Sequence, residues 1–249
     1  MKLKIMLTTI LTGAICFFSW GCDLNTGSAV NAGMTLLSAA TVSDKQLKEE
    51  SRKMRAVGDQ EAKVASANSS YVKRLNKITN NLKNEGMDLN FKVYLTNQIN
   101  ANATPDGSIR VYSGLMDYMT DDELFFVIGH EVGHVANGDA MDAMRVAYTA
   151  SGVRQGASSI NGVGALTNSA LGNLLESVIN AQFSQSQESD ADVYGYNLMR
   201  KYGRNPEAAV SALNKLAALG SSGGFLSSHP DSHDRAKNIE KLIARDGKK

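Results

Sequence analysis

The sequence predicts an α+β fold, a mostly helical domain around one small antiparallel sheet. Three observations lead there. Apolar residues recur at helical spacing through most of the chain. Two short segments alternate as strands do, and Pro105-Asp106-Gly107 between them is turn chemistry. The 249 residues are 43% hydrophobic and 20% charged, an ordinary globular usage that excludes a largely disordered chain. Length allows one domain or two. Three prolines and no Gly-X-Y repeat exclude collagen-like sequence. Lys plus Arg number 26 and Asp plus Glu 25, without a basic stripe, so no nucleic-acid surface is expected.

The first 21 residues read as an address. Lys2 and Lys4 form a short basic start, Ile5 to Trp20 is apolar and uncharged, and Gly21-Cys22 closes the run before Asp23. That is the layout of a secretory signal peptide. The terminal cysteine implies lipoprotein processing, with cleavage before Cys22 and lipid on its thiol. Ser19-Trp20-Gly21 departs from the Leu-Ala-Gly type of box, at Trp20 most of all. The alternatives are a soluble secreted product and an uncleaved anchor helix, for which about 18 apolar residues is the lower limit. Either tethered form places the protein in the cell envelope, anchored to a membrane and facing the periplasm. Loss of residues 1–21 leaves 24 basic and 25 acidic side chains. With Cys16 removed and Cys22 lipidated, no intramolecular disulfide is expected.

Residues 22–42, small and polar, are expected to form a tether, and residues 43–249 a domain. Ser43 to Val57 reads as its first helix. Tyr71, Leu75, Ile78 and Leu82 give one apolar helical face. Asn90 to Thr96 alternates and carries β-branched and aromatic residues. Ser108 to Tyr112 does likewise, and the two are expected to pair antiparallel. Thr120-Asp121-Asp122-Glu123 is a capping box ahead of the apolar run Leu124 to Ile128, with Gly138 as the stop. Residues 151–173, dense in Gly, Ser, Ala and Asn, read equally as a lid over a cleft or as tight small-residue packing. One helix is expected from Leu174 to Met199. Another starts at Asn205-Pro206 and ends at Gly220. A connector, Ser221 to Gly224, and a last helix from Ser232 to Ala244 follow.

The chemistry concentrates in His130-Glu131-Val132-Gly133-His134. Histidines at i and i+4 share one helix face and can hold a single ion between two imidazoles. Glu131 lies about 100° around the helix, placed to reach a water on that ion without ligating it. Zinc brings the pKa of such a water to about 7. Two ordinary helix histidines are the alternative, but chance yields this pattern roughly 0.003 times per chain of this composition. A third ligand is needed, together with an open position. A histidine six residues beyond His134, as in one zinc-protease pattern, is missing, because Ala140 stands there. No Glu occurs between Glu131 and Glu176, and Asp139 and Asp142 lie too near along the chain to fold back on the metal easily. Glu188 is the best candidate. Asp192, at i+4 from it, is placed to hold a ligand histidine or to pass a proton. A solvated acidic helix face is the other reading of this run.

H-E-V-G-H followed far downstream by E-S-D-A-D resembles the HtpX-like zinc peptidases, the family that includes the CAAX prenyl proteases. With the leader, the chain is most similar to that family's bacterial lipoprotein members. Both parts of the family pattern, HExxH and ExxxD, are present. A third, H-P-x-x-x-x-R, matches His229-Pro230 through Arg235, and Ile109 to Asp117 is similar as well. The resemblance implies a zincin-like metallopeptidase domain with one Zn2+ held by His130, His134 and Glu188. It implies Glu131 as general base and Asp192 as proton donor. It leaves His229 either approaching the metal in a closed state or binding the oxyanion. Arg235 either pairs with Asp192 or fixes the His229 loop, and a structural loop-and-cap role stands beside both readings. His233 falls outside the pattern.

No uncharged apolar run of 18 residues follows residue 21, so the domain is expected to be soluble and only tethered. Its partners would be unfolded or mobile protein segments, taken by strand addition at the predicted sheet. The expected function is a membrane-tethered periplasmic zinc metalloendopeptidase in envelope quality control. The alternative is a zinc-stabilised chaperone or adaptor with little turnover, which has no chemical need for Glu131. Manganese or cobalt would suit the same donors.

Overall fold

The computed structural model describes residues 42–156, 166–220, 224–229 and 232–247. The expected leader, nearly all of the expected tether, residues 157–165 of the stretch read as a lid, and the side chain of His233 lie outside the described residues. Helix α1 (Asp44–Glu61) starts at Ser43, whose side chain and Gln46 form a reciprocal capping box. Helix α2 (Ser70–Thr79), capped by Ser69, runs into a 3-10 turn, Asn80–Asn84. Strands β1 (Asn90–Tyr94), β2 (Ala101–Ala103) and β3 (Ser108–Tyr112) follow. The rest is helical: α3 (Ser113–Tyr118), α4 (Asp121–Ala136), α5 (Asp139–Gly156), α6 (Asn168–Ile179), α7 (Gln185–Lys201), α8 (Glu207–Ala218), the single turn α9 (Phe225–Ser228) and α10 (Ser232–Asp246).

The α+β class holds, but the sheet is mixed, with order β1-β3-β2. The two strands expected to pair antiparallel are parallel, Asn90 facing Ser108 and Tyr94 facing Tyr112. The antiparallel partner of β3 is β2, with Ala101 opposite Val111. The Pro105-Asp106-Gly107 turn therefore closes a β2–β3 hairpin. Ala-Asn-Ala carries no β-branched or aromatic residue, so β2 left no strand signal in the sequence. The single helix expected over Leu174 to Met199 is also corrected: it is two, α6 and α7, separated by residues 180–184. A capping box at Ser184 and Gln187 restarts the helix there.

The central strand β3 is buried along its whole length. It packs in the main core with α4, in which every residue from Glu123 to His134 is buried. A helix apolar on all sides is one surrounded by protein. A second, smaller core joins Leu47, Met54 and Val57 of α1 to Met144 of α5 and to Leu171, Leu174, Leu175 and Val178 of α6. Buried charge ties α1 to the sheet. Arg110 grips Asp59 with two hydrogen bonds, Nε to Oδ1 at 2.7 Å and Nη2 to Oδ2 at 2.9 Å. Lys92 and the Tyr94 hydroxyl donate to the same carboxylate. Burial pushes that carboxyl up, but these donors outweigh it and hold it at about 2.

Candidate metal centre

Thr120 and Glu123 form the capping box expected at the start of α4. Glu123 also accepts from Lys215 Nζ of α8 at 2.7 Å, so the helix is anchored at its N-terminal end. Six residues further along, α4 crosses α7 at very short range. A Cβ on Gly133 would stand 3.0 Å from the backbone of Ala191, one on Gly129 3.1 Å from Gly195 Cα, and one on Gly195 3.0 Å from the His130 nitrogen. Three residues without side chains let the helix axes approach until the motifs on their facing sides meet. Gly129 and Gly133, four apart on the same helix, are the sequence signal for this crossing.

At the crossing His130 Nε2 and His134 Nε2 are 3.1 Å apart. Glu188 brings Oε1 to 3.2 Å from His134 Nε2 and Oε2 to 3.7 Å from His130 Nε2. The other nitrogen of each ring is held by a carboxylate. Asp192 Oδ1 lies 2.9 Å from His130 Nδ1, and Asp139 Oδ2 lies 2.8 Å from His134 Nδ1. A carboxylate there takes the Nδ1 proton as its hydrogen bond, which turns both Nε2 lone pairs inward. Two lone pairs at that separation need a positive charge between them. Without an ion, burial lowers the pKa of His130, whereas Asp139 and Glu188 overcome burial at His134 and raise it to about 9. Burial would raise the Glu188 carboxyl, but His229, His130 and His134 hold it well below the usual range. Glu131 Oε1 is buried without a hydrogen-bond partner.

His229 enters from the turn after α9. Its Nδ1 lies 2.8 Å from Glu188 Oε1 and 3.2 Å from His130 Nε2, and its Nε2 lies 3.4 Å from Glu131 Oε1. The Phe225 ring stacks on it, and the Phe225 nitrogen donates to the Ile99 carbonyl just ahead of β2. Ligand atoms of His130, His134, Glu188 and His229 all lie within 4.8 Å of one another. Imidazole and carboxylate donors of this kind, with inward lone pairs, fit a divalent metal ion. Arg235, on α10, chelates Asp192 through Nε and Nη2, both at 2.7 Å, and also touches Glu188. Thus all seven side chains singled out from the sequence converge in one buried cluster.

Sequence reasoning missed Asp139. It does not join the metal donors, as its nearness along the chain implies, but it reaches the far side of His134 and holds Nδ1. Gly138, at φ 89°, turns the chain so that the first residue of α5 points back at α4. It also missed Phe183, whose ring stacks on His134 with centroids 3.9 Å apart.

The profile of peptidase family M48 matches residues 66–243. The chain belongs to that family. Metalloprotease LoiP of Escherichia coli strain K12 is 41% identical over 253 residues, covering 99% of each chain. Metalloprotease YcaL of the same strain is 39% identical over 251 residues, 98% of this chain and 97% of YcaL. A protease HtpX homologue from Nostoc punctiforme is 28% identical over 151 residues, 51% of each chain. The M48 chain is accordingly a metallopeptidase, as the HExxH and ExxxD resemblance implied, and protein is its substrate. No described helix is long and apolar enough to cross a membrane.

Proposed function

We propose that this metallopeptidase is a zinc endopeptidase, tethered by a lipidated Cys22 to a membrane facing the periplasm, that cuts unfolded or mobile segments of envelope proteins. The observation that carries the catalytic part is the meeting of three donors, on His130, His134 and Glu188, beside Glu131, whose buried Oε1 accepts no hydrogen bond. The tether rests on the basic, apolar and Gly-Cys order of residues 2–22.

His130, His134 and Glu188 would hold the zinc, with Asp192 and Asp139 fixing the two rings and Arg235 fixing Asp192. When bound, zinc supplies Lewis acidity for a peptide carbonyl and for water. Glu131 takes the proton of the attacking water as oxygen bonds to the carbonyl carbon, and returns it to the leaving nitrogen as the C–N bond breaks. Asp192 is committed to His130 and Arg235, which suits it to positioning rather than to direct proton delivery. His229, 3.4 Å from Glu131 Oε1, occupies the side from which a substrate carbonyl would enter. It withdraws as substrate binds, or stays to donate to the oxyanion. Edge strand β2, packed beside α4, is the strand to which an extended segment would add.

Glu131→Gln in the full chain should keep bound metal and lose at least about a hundredfold of casein cleavage, the low end for a general acid–base group. Glu188→Ala should lose the metal by elemental analysis. Wild-type protein that holds zinc but cleaves no unfolded protein would refute the peptidase reading in favour of the adaptor. Labelled palmitate incorporated by wild type and absent from Cys22→Ser checks the tether.

A further inference from the structure

Helix α1 meets the sheet through a polar stripe. Ser51, Arg55 and Asp59 recur every four residues and share one helix face. Asp59 is answered by Arg110 and Lys92. Arg55 has a different setting. It is buried, and its hydrogen bonds go to neutral oxygens at β2, Nη2 to Asn102 Oδ1 at 2.8 Å and Nε to Thr104 Oγ1 at 3.3 Å. The Thr104 hydroxyl passes the contact on to Asp106 Oδ1 at 2.7 Å, and Ser51 Oγ donates to the same oxygen at 2.7 Å. This ring of contacts starts and ends on α1 and clamps the β2–β3 hairpin. An apolar side chain of similar volume often serves stability as well as a buried charge does. What the cation adds is a fixed position for β2.

That strand has little hold of its own, because Ala-Asn-Ala lacks strand-forming side chains. Its ladder bonds to β3 come from every second residue: the Asn100 carbonyl accepts from the Tyr112 nitrogen, and the Thr104 nitrogen donates to the Ser108 carbonyl. By that alternation Asn102 also turns its main chain to β3, whereas Ile99, Ala101 and Ala103 turn theirs to the outer edge. The Ile99 carbonyl already accepts there from the Phe225 nitrogen. The Ala101 carbonyl and both main-chain groups of Ala103 continue the row.

We infer that Arg55 is a positioning residue for substrate: by holding the side chains of Asn102 and Thr104, it fixes the outward main-chain groups of Ala101 and Ala103 at which an extended protein segment pairs. The inference rests on the strand-addition reading and adds the device that holds the edge ready. Recognition there is of main-chain N–H and C=O groups, which an unfolded segment offers and a folded one has already paired.

Backbone methylation reads edge pairing directly. In the full chain carrying Glu131→Gln, fluorescence anisotropy is measured for a labelled casein peptide and for two versions of it N-methylated at alternate residues, one in each phase. The phase that places methyl groups against β2 should bind at least about tenfold more weakly than the unmethylated peptide, the worth of one or two net hydrogen bonds. With Arg55→Met added, that ratio should fall below about threefold through weaker binding of the unmethylated peptide, while metal content stays that of the parent. Thr104→Val keeps the side chain's shape and cuts the link to Asp106; it should lower the ratio too, and it decides the matter where Arg55→Met does not fold. Equal binding of all three peptides by the parent overturns the inference. So does a ratio that stays at the parent's value in either folded variant, even where the urea midpoint drops, because Arg55 would then serve stability alone. Absence of cleavage by the Glu131-containing wild type bears on the endopeptidase reading alone, because binding is read in a variant that does not turn over.

Discussion

Asp139 does its work through another residue's ring. Its carboxylate fixes which nitrogen of His134 carries the proton and which faces inward, and that geometry decides how well the ring can ligate. Losing such a support typically weakens metal binding by about 10- to 100-fold. Asp139→Ala is expected to raise the metal dissociation constant within that range, read by competition with a chromophoric chelator. Asp139→Asn, which keeps an oxygen acceptor, should lose less. An unchanged constant for the alanine variant would reject the role. The H-E-x-x-H ligands were legible in the sequence because spacing alone puts them on one helix face. Asp139 was not, because its position depends on a left-handed turn at Gly138 that a linear reading sees only as a helix stop.

At the scale of elements, the site depends on how closely α4 and α7 pass. A methyl group on Gly195 would meet the His130 nitrogen at 3.0 Å, the Phe126 carbonyl at 3.2 Å and the Gly129 carbonyl carbon at 3.3 Å, all backbone. Backbone does not swing aside as a side chain does, so Gly195→Ala should push the helices apart. Overpacking of this kind costs about 1–3 kcal/mol. Metal affinity should fall with it, because Glu188 rides on the displaced helix; chemical denaturation with and without chelator reads both effects. Glu123 fixes the same helix from its other end. Burial raises its carboxyl, but Lys215, Ser211 and Thr120 outweigh burial and lower it to about 2. An unfolded glutamate titrates at about 4.3. The stabilisation is therefore complete above about pH 5 and is lost as pH falls through 4 toward 2. Glu123→Gln should cost about 1–2 kcal/mol at neutral pH and show a shallower acid-side loss in its urea midpoint than wild type. Both ends of α4 were visible as sequence patterns. The strand order was not, because β2 has no strand signature and the turn was credited to the wrong pair.

Across the whole molecule the two hydrophobic cores have different duties. The main core holds β3, α4, α7 and α8, and with them His130, His134 and Glu188. The smaller core, from α1, α5 and α6, builds the walls of a cleft between α5 and α6 and carries Asp139 at its margin. Among the described residues, Asp139 and Phe183 both line the cleft and touch the His134 ring, and the metal ligands on α4 and α7 should survive loosening of the smaller core. Met54 is fully buried in that second core. Met54→Ala should cost about 2–5 kcal/mol there, as large-to-small core changes do. Amide hydrogen exchange should then quicken in α1, α5 and α6, while α4 and α7 keep their protection and bound metal remains. Uniform acceleration across α4 and α7 would instead mean that the two cores unfold as one unit, and that the cleft cannot open independently of the metal ligands.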